Sequence, residues 1–211
     1  CKPVNFRKAA GVGARALARV KANNVLLCAP ALNKASRGHY LAAACEGLLL
    51  GSYSFDKYKS DAKAPSICNV NIVSAISDAE NILQEAKIVA DSVNLVRDLC
   101  NTPGNDLNPL GMEDAARKGA EETGMELAVL GPKEMETLGM NALLAVGKGS
   151  ACEPRLVVLK YRGAGASPFN AYVGKGITFD SGGISIKPSE GMEAMKDDMT
   201  GAGAVLGAMR A

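Results

Sequence analysis

Helical periodicity and short apolar runs alternate along most of this 211-residue chain, and that alternation is the tightest constraint on its fold. Phe6 to Lys21 places Ala10, Ala14, Leu17 and Val20 at helical spacing, and Val25-Leu26-Leu27-Cys28 follows as a strand that Pro30 ends. A second helix runs from Gly38 to Leu50 and closes at Gly51. Ser54 to Pro65 is polar and lysine-rich, suited to a surface loop, and Ile67 to Val73 is again strand-like. Helices interleaved with short apolar strands argue for α/β layering, in which each element buries its apolar side against the next.

Asp78 to Leu99 is a long amphipathic helix with Ile82, Ala86, Val89, Val93 and Val96 on one face, read as a bridge between two domains. Asn101 to Leu110 ends it with two prolines and a glycine. The spacing beyond predicts a helix over Leu110 to Glu122, a strand over Glu126 to Leu130 and a short helix after Pro132. Further strands are expected at Leu143 to Val146, Arg155 to Tyr161 and Asn170 to Val173. The run Leu156-Val157-Val158-Leu159 suits a sheet buried on both faces.

Composition narrows the function classes. The net charge of +2 comes from interspersed signs, and five Tyr, four Phe and no Trp leave little for base stacking, so nucleic acid is not predicted as a partner. Cys1, Cys28, Cys45, Cys68, Cys100 and Cys152 never form a CxxC pair, which argues against a zinc module or disulfide framework and for core filler in a reducing, cytoplasmic compartment. No apolar run is long enough to span a bilayer, and the first ten residues are not a signal peptide, so no membrane partner is expected. The single histidine, His39, removes HExxH sites and most Ser-His-Asp triads and reads as a polar residue near a helix start.

The chemistry concentrates between Val173 and Ala204, where Lys175, Asp180, Lys187 and Asp198 alternate with glycines. Carboxylates hold divalent cations through oxygen, and a lysine beside those cations either gives up its proton to become a nitrogen ligand or stays charged to stabilise an oxyanion. Val173-Gly174 reads as the end of a buried strand, so Lys175 emerges at the strand's carboxyl edge, where open α/β sheets place ligands. Gly182-Gly183 lets backbone approach an ion or substrate, and Pro188 stiffens the loop that presents Lys187. Asp198 precedes a small-residue helix containing Gly201, Ala202, Ala204 and Ala208. Asp197 is a rival ligand that the spacing from Lys175 and Asp180 disfavours. The glycines at 201, 203 and 207 are in the wrong context for a dinucleotide loop, and Gly147 to Ser150 is out of register for a phosphate loop.

The segment VGKGITFDSGGISIKPSEGM, followed by MKDDMTGAGAV, resembles the signature region of the leucyl aminopeptidases, the cytosolic two-metal family M17. Glu46 to Ser60, Val96 to Pro109 and Ala142 to Tyr161 resemble the same family in the same order. The resemblance implies that Lys175 and Asp198 are ligands of the tighter metal site and that Asp180 bridges two divalent ions, Mn2+ or Zn2+. It implies that Lys187 is the catalytic lysine on the scissile carbonyl, and that Met195 lines the pocket for the substrate's first side chain. Peptides with a free N-terminus, leucine preference and a homohexamer are expected on the same ground. A non-catalytic or DNA-binding regulator on this fold is the alternative from another class.

The family's Asn-Thr-Asp-Ala-Glu-Gly-Arg run, which carries further ligands and an anion-holding arginine, does not occur in these residues. Three ligands cannot complete two coordination shells, so the resemblance implies a piece of a longer enzyme, cut at Cys1 and within the helix ending at Ala211. The fold expected is α/β: the remainder of an amino-terminal α/β domain over 1–76, a linker helix over 77–100, and the first half of a mixed-sheet α/β catalytic domain over 101–211.

Overall fold

The computed structural model describes residues 2–28, 37–62, 67–163, 168 and 170–211. Cys1, Pro30 and the last residues of the Ser54 to Pro65 loop lie outside the described residues. The chain forms two compact α/β units, Cys1–Asn94 and Leu95–Ala211.

The first unit contains α1 (Pro3–Arg19), β1 (Asn24–Cys28), α2 (Arg37–Gly51), β2 (Asn69–Val73) and the greater part of α3 (Ala79–Asn101). Pro3 stands in the first turn of α1, where its missing N–H would have had no intrahelical acceptor. Strands β1 and β2 pair in parallel, with Val25 opposite Val70 and Leu27 opposite Ile72. Helices α1 and α2 touch backbone to backbone, since a Cβ on Gly47 would lie 2.1 Å from the Arg7 carbonyl oxygen. Arg7 forms an ion pair with Glu46 at this crossing. Two apolar clusters fill the unit: Ala14, Val25 and Leu48, and Leu41, Cys45 and Ala86, the latter covered by Leu27 and Ile72. His39 is exposed in the first turn of α2.

The second unit contains the end of α3, α4 (Pro109–Thr123), β3 (Glu126–Leu130), α5 (Pro132–Thr137), α6 (Asn141–Gly147), β4 (Leu156–Lys160), a 3-10 helix over Met192–Asp197, and α7 (Thr200–Arg210). The Asn108 side chain caps α4 by accepting from the N–H groups of Leu110 and Gly111 at 3.0 and 3.1 Å, and Gly124 stops the helix in a left-handed conformation. Strands β3 and β4 pair antiparallel, Leu127 opposite Leu159 and Val129 opposite Val157. Leu127, Val157 and Leu159 cover a core of Leu99, Leu107, Ala116, Met199 and Leu206.

Several expectations are corrected. Leu143 to Val146 lies inside α6 and is helical, because alanine and leucine favour helix and a four-residue apolar run carries no period that distinguishes helix from strand. Asn170 to Val173 is not a strand. None of the described strands pairs with it, Val173 is 94% exposed, and the backbone just beyond it bonds to the start of α7 instead of to a ladder. Leu156 to Leu159 is half-buried, not sandwiched, because β4 belongs to a two-stranded antiparallel pair whose one face packs on the core. Strand β2 begins at Asn69, two residues later than Ile67. Among the described cysteines only Cys45 is buried, while Cys28 and Cys68 are exposed, so the core-filler reading holds for one of them.

Candidate metal centre

Residues 170–191 run without helix or strand, and what shapes them is a set of specific backbone contacts. The Ala202 N–H, one of the orphan donors in the first turn of α7, bonds the Lys175 carbonyl oxygen at 2.8 Å. This brings Gly174 onto Gly201: a Cβ on Gly174 would sit 2.3 Å from the Gly201 carbonyl oxygen and 2.7 Å from the Ala202 Cα, which no side chain permits. Lys175 therefore leaves the backbone directly beside the turn that carries Asp198. Its Nζ donates to both Asp198 carboxylate oxygens, each at 2.7 Å. The Lys175 side chain is 60% exposed and that of Asp198 is 32% exposed.

Asp180 and Lys187 form the second pair. Lys187 Nζ lies 2.8 Å from Asp180 Oδ1 and donates to the Asp180 carbonyl at 3.3 Å. The same Oδ1 accepts from the Gly182 N–H at 2.9 Å, and the Lys187 N–H bonds the Ser181 carbonyl at 2.9 Å, closing a tight loop. Gly182 has φ +94°, which favours glycine, and a Cβ there would approach the Ser185 carbonyl to 2.5 Å. The hydrogen bond from Lys187, against a smaller burial penalty, holds the Asp180 carboxyl below its ordinary range, with help from Gly182 and from the charges of Lys187 and Lys175. Lys175 thus contacts one of the two acids and acts electrostatically on the other.

Asp198 follows the 3-10 helix and its N–H bonds the Met195 carbonyl at 3.3 Å. Met195 is half-buried and Asp197 is exposed. Met199, fully buried, anchors the next position in the core. The expected exit of Lys175 from a strand edge is corrected, since helix α7 and not a sheet positions it. Gly147 ends α6, as befits a helix terminus and not a phosphate loop. Three residues of the surroundings carry no signal at the sequence level: Asn101, whose carbonyl accepts from Lys196 Nζ at 3.3 Å, and Cys100 and Thr200, which meet at 3.1 Å. Sequence separations of 95 and 100 residues hide such contacts from any local pattern.

Among the described residues no three His, Cys, Asp or Glu side chains gather into a metal-binding group. The donor set is of another kind: the Lys175 amine on the Asp198 carboxylate, with Asp180 near enough to feel its charge. A cation and the proton on Lys175 Nζ compete for the same Asp198 oxygens, so the pair fits a divalent ion once that proton is lost. Lys175, Asp198 and Asp180 would hold it.

Residues 94–211 match the family profile described as the cytosol aminopeptidase family, catalytic domain, and residues 1–62 match that family's N-terminal domain. A probable cytosol aminopeptidase of Solibacter usitatus is 45% identical over 98% of the chain and 43% of its own length. Among solved structures, the bottromycin maturation enzyme BotP in complex with Mn is 34% identical with a TM-score of 0.84, matched over all of this chain and 44% of that one. A mutant of tomato leucine aminopeptidase is 27% identical with a TM-score of 0.84, over all of this chain and 42% of that one. The chain thus spans less than half the length of the relatives it matches.

Proposed function

The chain belongs to the cytosol aminopeptidase family, and from that premise we propose that it forms part of a metal-dependent aminopeptidase that removes N-terminal residues, leucine by preference, from peptides. The observation that carries the reading is the pairing of Lys175 with Asp198 and of Lys187 with Asp180 in one glycine-rich segment. Lys175, Asp180 and Asp198 are the metal ligands on this reading, and the ions are Mn2+ or Zn2+. When bound, two such ions supply Lewis acidity for generating a nucleophile at neutral pH and for holding the substrate's free α-amine.

The chain's own residues then divide the remaining work. Lys175 would hold the ions through its amine nitrogen, and Asp198 and Asp180 through carboxylate oxygens. Lys187 keeps its proton and donates to the scissile carbonyl oxygen, stabilising the negative charge that develops there. Its contact with Asp180 holds the side chain in place within the loop. Met195 lines the pocket for the first side chain.

Three protein ligands leave two coordination shells open, so further ligands come from elsewhere in a longer protein, which works as a cytoplasmic homohexamer. On this reading residues 1–76 are the remainder of the amino-terminal domain, 77–100 a linker helix and 101–211 the first part of the catalytic domain. The test is hydrolysis of a leucine anilide by the full-length protein with and without Mn2+. Activity that requires added metal and falls on Asp198→Asn supports the reading, and metal-independent or absent hydrolysis overturns it.

A further inference from the structure

The turn that bears Asp198 is tied on both sides to the last turn of α3, and the proton count of one hydroxyl gives the direction of the tie. Thr200 Oγ1 donates to the Asp197 carbonyl and lies 3.1 Å from Cys100 Sγ. A threonine hydroxyl has a single hydrogen, which is committed to Asp197, so the thiol of Cys100 is the donor to Thr200. A relay therefore runs from Cys100 through Thr200 to the peptide unit joining Asp197 to Asp198. On the other side, Lys196 Nζ donates to the carbonyl of Asn101, the last residue of α3, where the negative end of the helix favours a cation. Met199 is wholly buried beside Leu99 of the same helix. Residues 196, 197, 199 and 200 are all held, and Asp198 stands between them.

We propose that Cys100 and Thr200 are positioning residues that orient Asp198 toward Lys175, and so tune the divalent-cation affinity of that pair. The inference rests on the metal reading of Lys175 and Asp198. Neither residue touches the ion or the substrate. Each acts through the peptide that carries the ligand, and groups that orient a ligand in this way are typically worth a factor of about 10 to 100 in affinity.

The experiment compares Thr200→Val, Thr200→Ser and Cys100→Ala with the unsubstituted full-length protein by Mn2+ titration calorimetry and by amide hydrogen exchange of residues 197–199 in the metal-free state. Thr200→Val, which keeps the shape and removes the hydroxyl, is expected to weaken Mn2+ binding about tenfold and to speed exchange of the Asp198 amide. Thr200→Ser is expected to restore both, and Cys100→Ala to give an intermediate loss. Unchanged affinity and unchanged exchange in a folded Thr200→Val protein overturn the inference. Failure of the unsubstituted protein to bind Mn2+ overturns the functional reading instead, so the two failures are told apart.

Discussion

Gly174 and Gly201 are in backbone contact, so close that a methyl group on Gly174 would lie 2.3 Å from the Gly201 carbonyl oxygen, and this contact sets where Lys175 meets Asp198. The glycines act as spacers of zero width. Any side chain at either position must push residues 173–176 away from α7 and lengthen the 2.7 Å contacts between Lys175 Nζ and the Asp198 carboxylate.

Gly174→Ala is accordingly expected to lower unfolding free energy by about 1–3 kcal/mol, the range for overpacking a fitted contact. Gly13→Ala supplies the contrast: it lies within α1 with nothing within 4 Å of the added Cβ, and is expected to stabilise by about 0.5–1 kcal/mol. Urea denaturation midpoints of the two variants against the parent check both signs.

Lys187→Ala is expected to reduce kcat of leucine anilide hydrolysis by the full-length protein about 100- to 1000-fold, the range for losing one donor to a developing oxyanion. Mn2+ affinity is expected to stay within a few fold. Steady-state kinetics at saturating Mn2+, with calorimetry for the metal, separates the catalytic role from a ligand role, and intact turnover removes Lys187 from the mechanism.

Cys45 yields a prediction at alkaline pH. Burial, and secondarily the charge of Glu46, pushes its thiol up to about 11 from 9.0. A raised folded-state value means that the unfolded chain loses the proton first, so the associated stability is fully present below pH 9 and is lost as pH rises toward about 11. Chemical denaturation from pH 8 to 11 is expected to show a steeper decline for the parent than for Cys45→Ala, whatever the difference in their absolute stabilities.

Leu206 and Met199 are buried in the core of the second unit, where a Cβ added at Gly119 of α4 would lie 3.4 Å from Leu206 Cδ1. Leu206→Ala is expected to cost about 2–5 kcal/mol, read from the denaturation midpoint. Met199→Leu conserves volume and is expected to cost less than about 1.5 kcal/mol. Equal losses for the two would mean that the pocket around Met199 demands its particular shape.

The long helices α1 and α3 were legible because their signals repeat, each carrying several apolar residues at helical spacing, and the prolines and glycine between Asn101 and Leu110 mark where α3 stops and α4 begins. Strands β1, β3 and β4 announced themselves as short β-branched or leucine-rich runs between turn residues. Leu143 to Val146 did not, since four apolar residues fit either period and the helix preference of Ala142, Leu143, Leu144 and Ala145 decided the outcome. Asn170 to Val173 misled for a different reason, because a strand exists only with a partner and the partner is never written in the strand itself.

By itself the sequence determined the chemistry available to this protein: lysines and aspartates set among glycines between 173 and 204, with one histidine and no cysteine pair to offer a different site. Which lysine meets which acid was decided only by tertiary structure. Lys175 finds Asp198 across 23 positions because the first turn of α7 needs an acceptor for the Ala202 N–H and takes the Lys175 carbonyl, whereas Lys187 folds back onto Asp180 through a glycine turn. Residue types are a local property of the chain, but a pairing depends on where unsatisfied backbone groups find partners, and that is settled only when the elements pack.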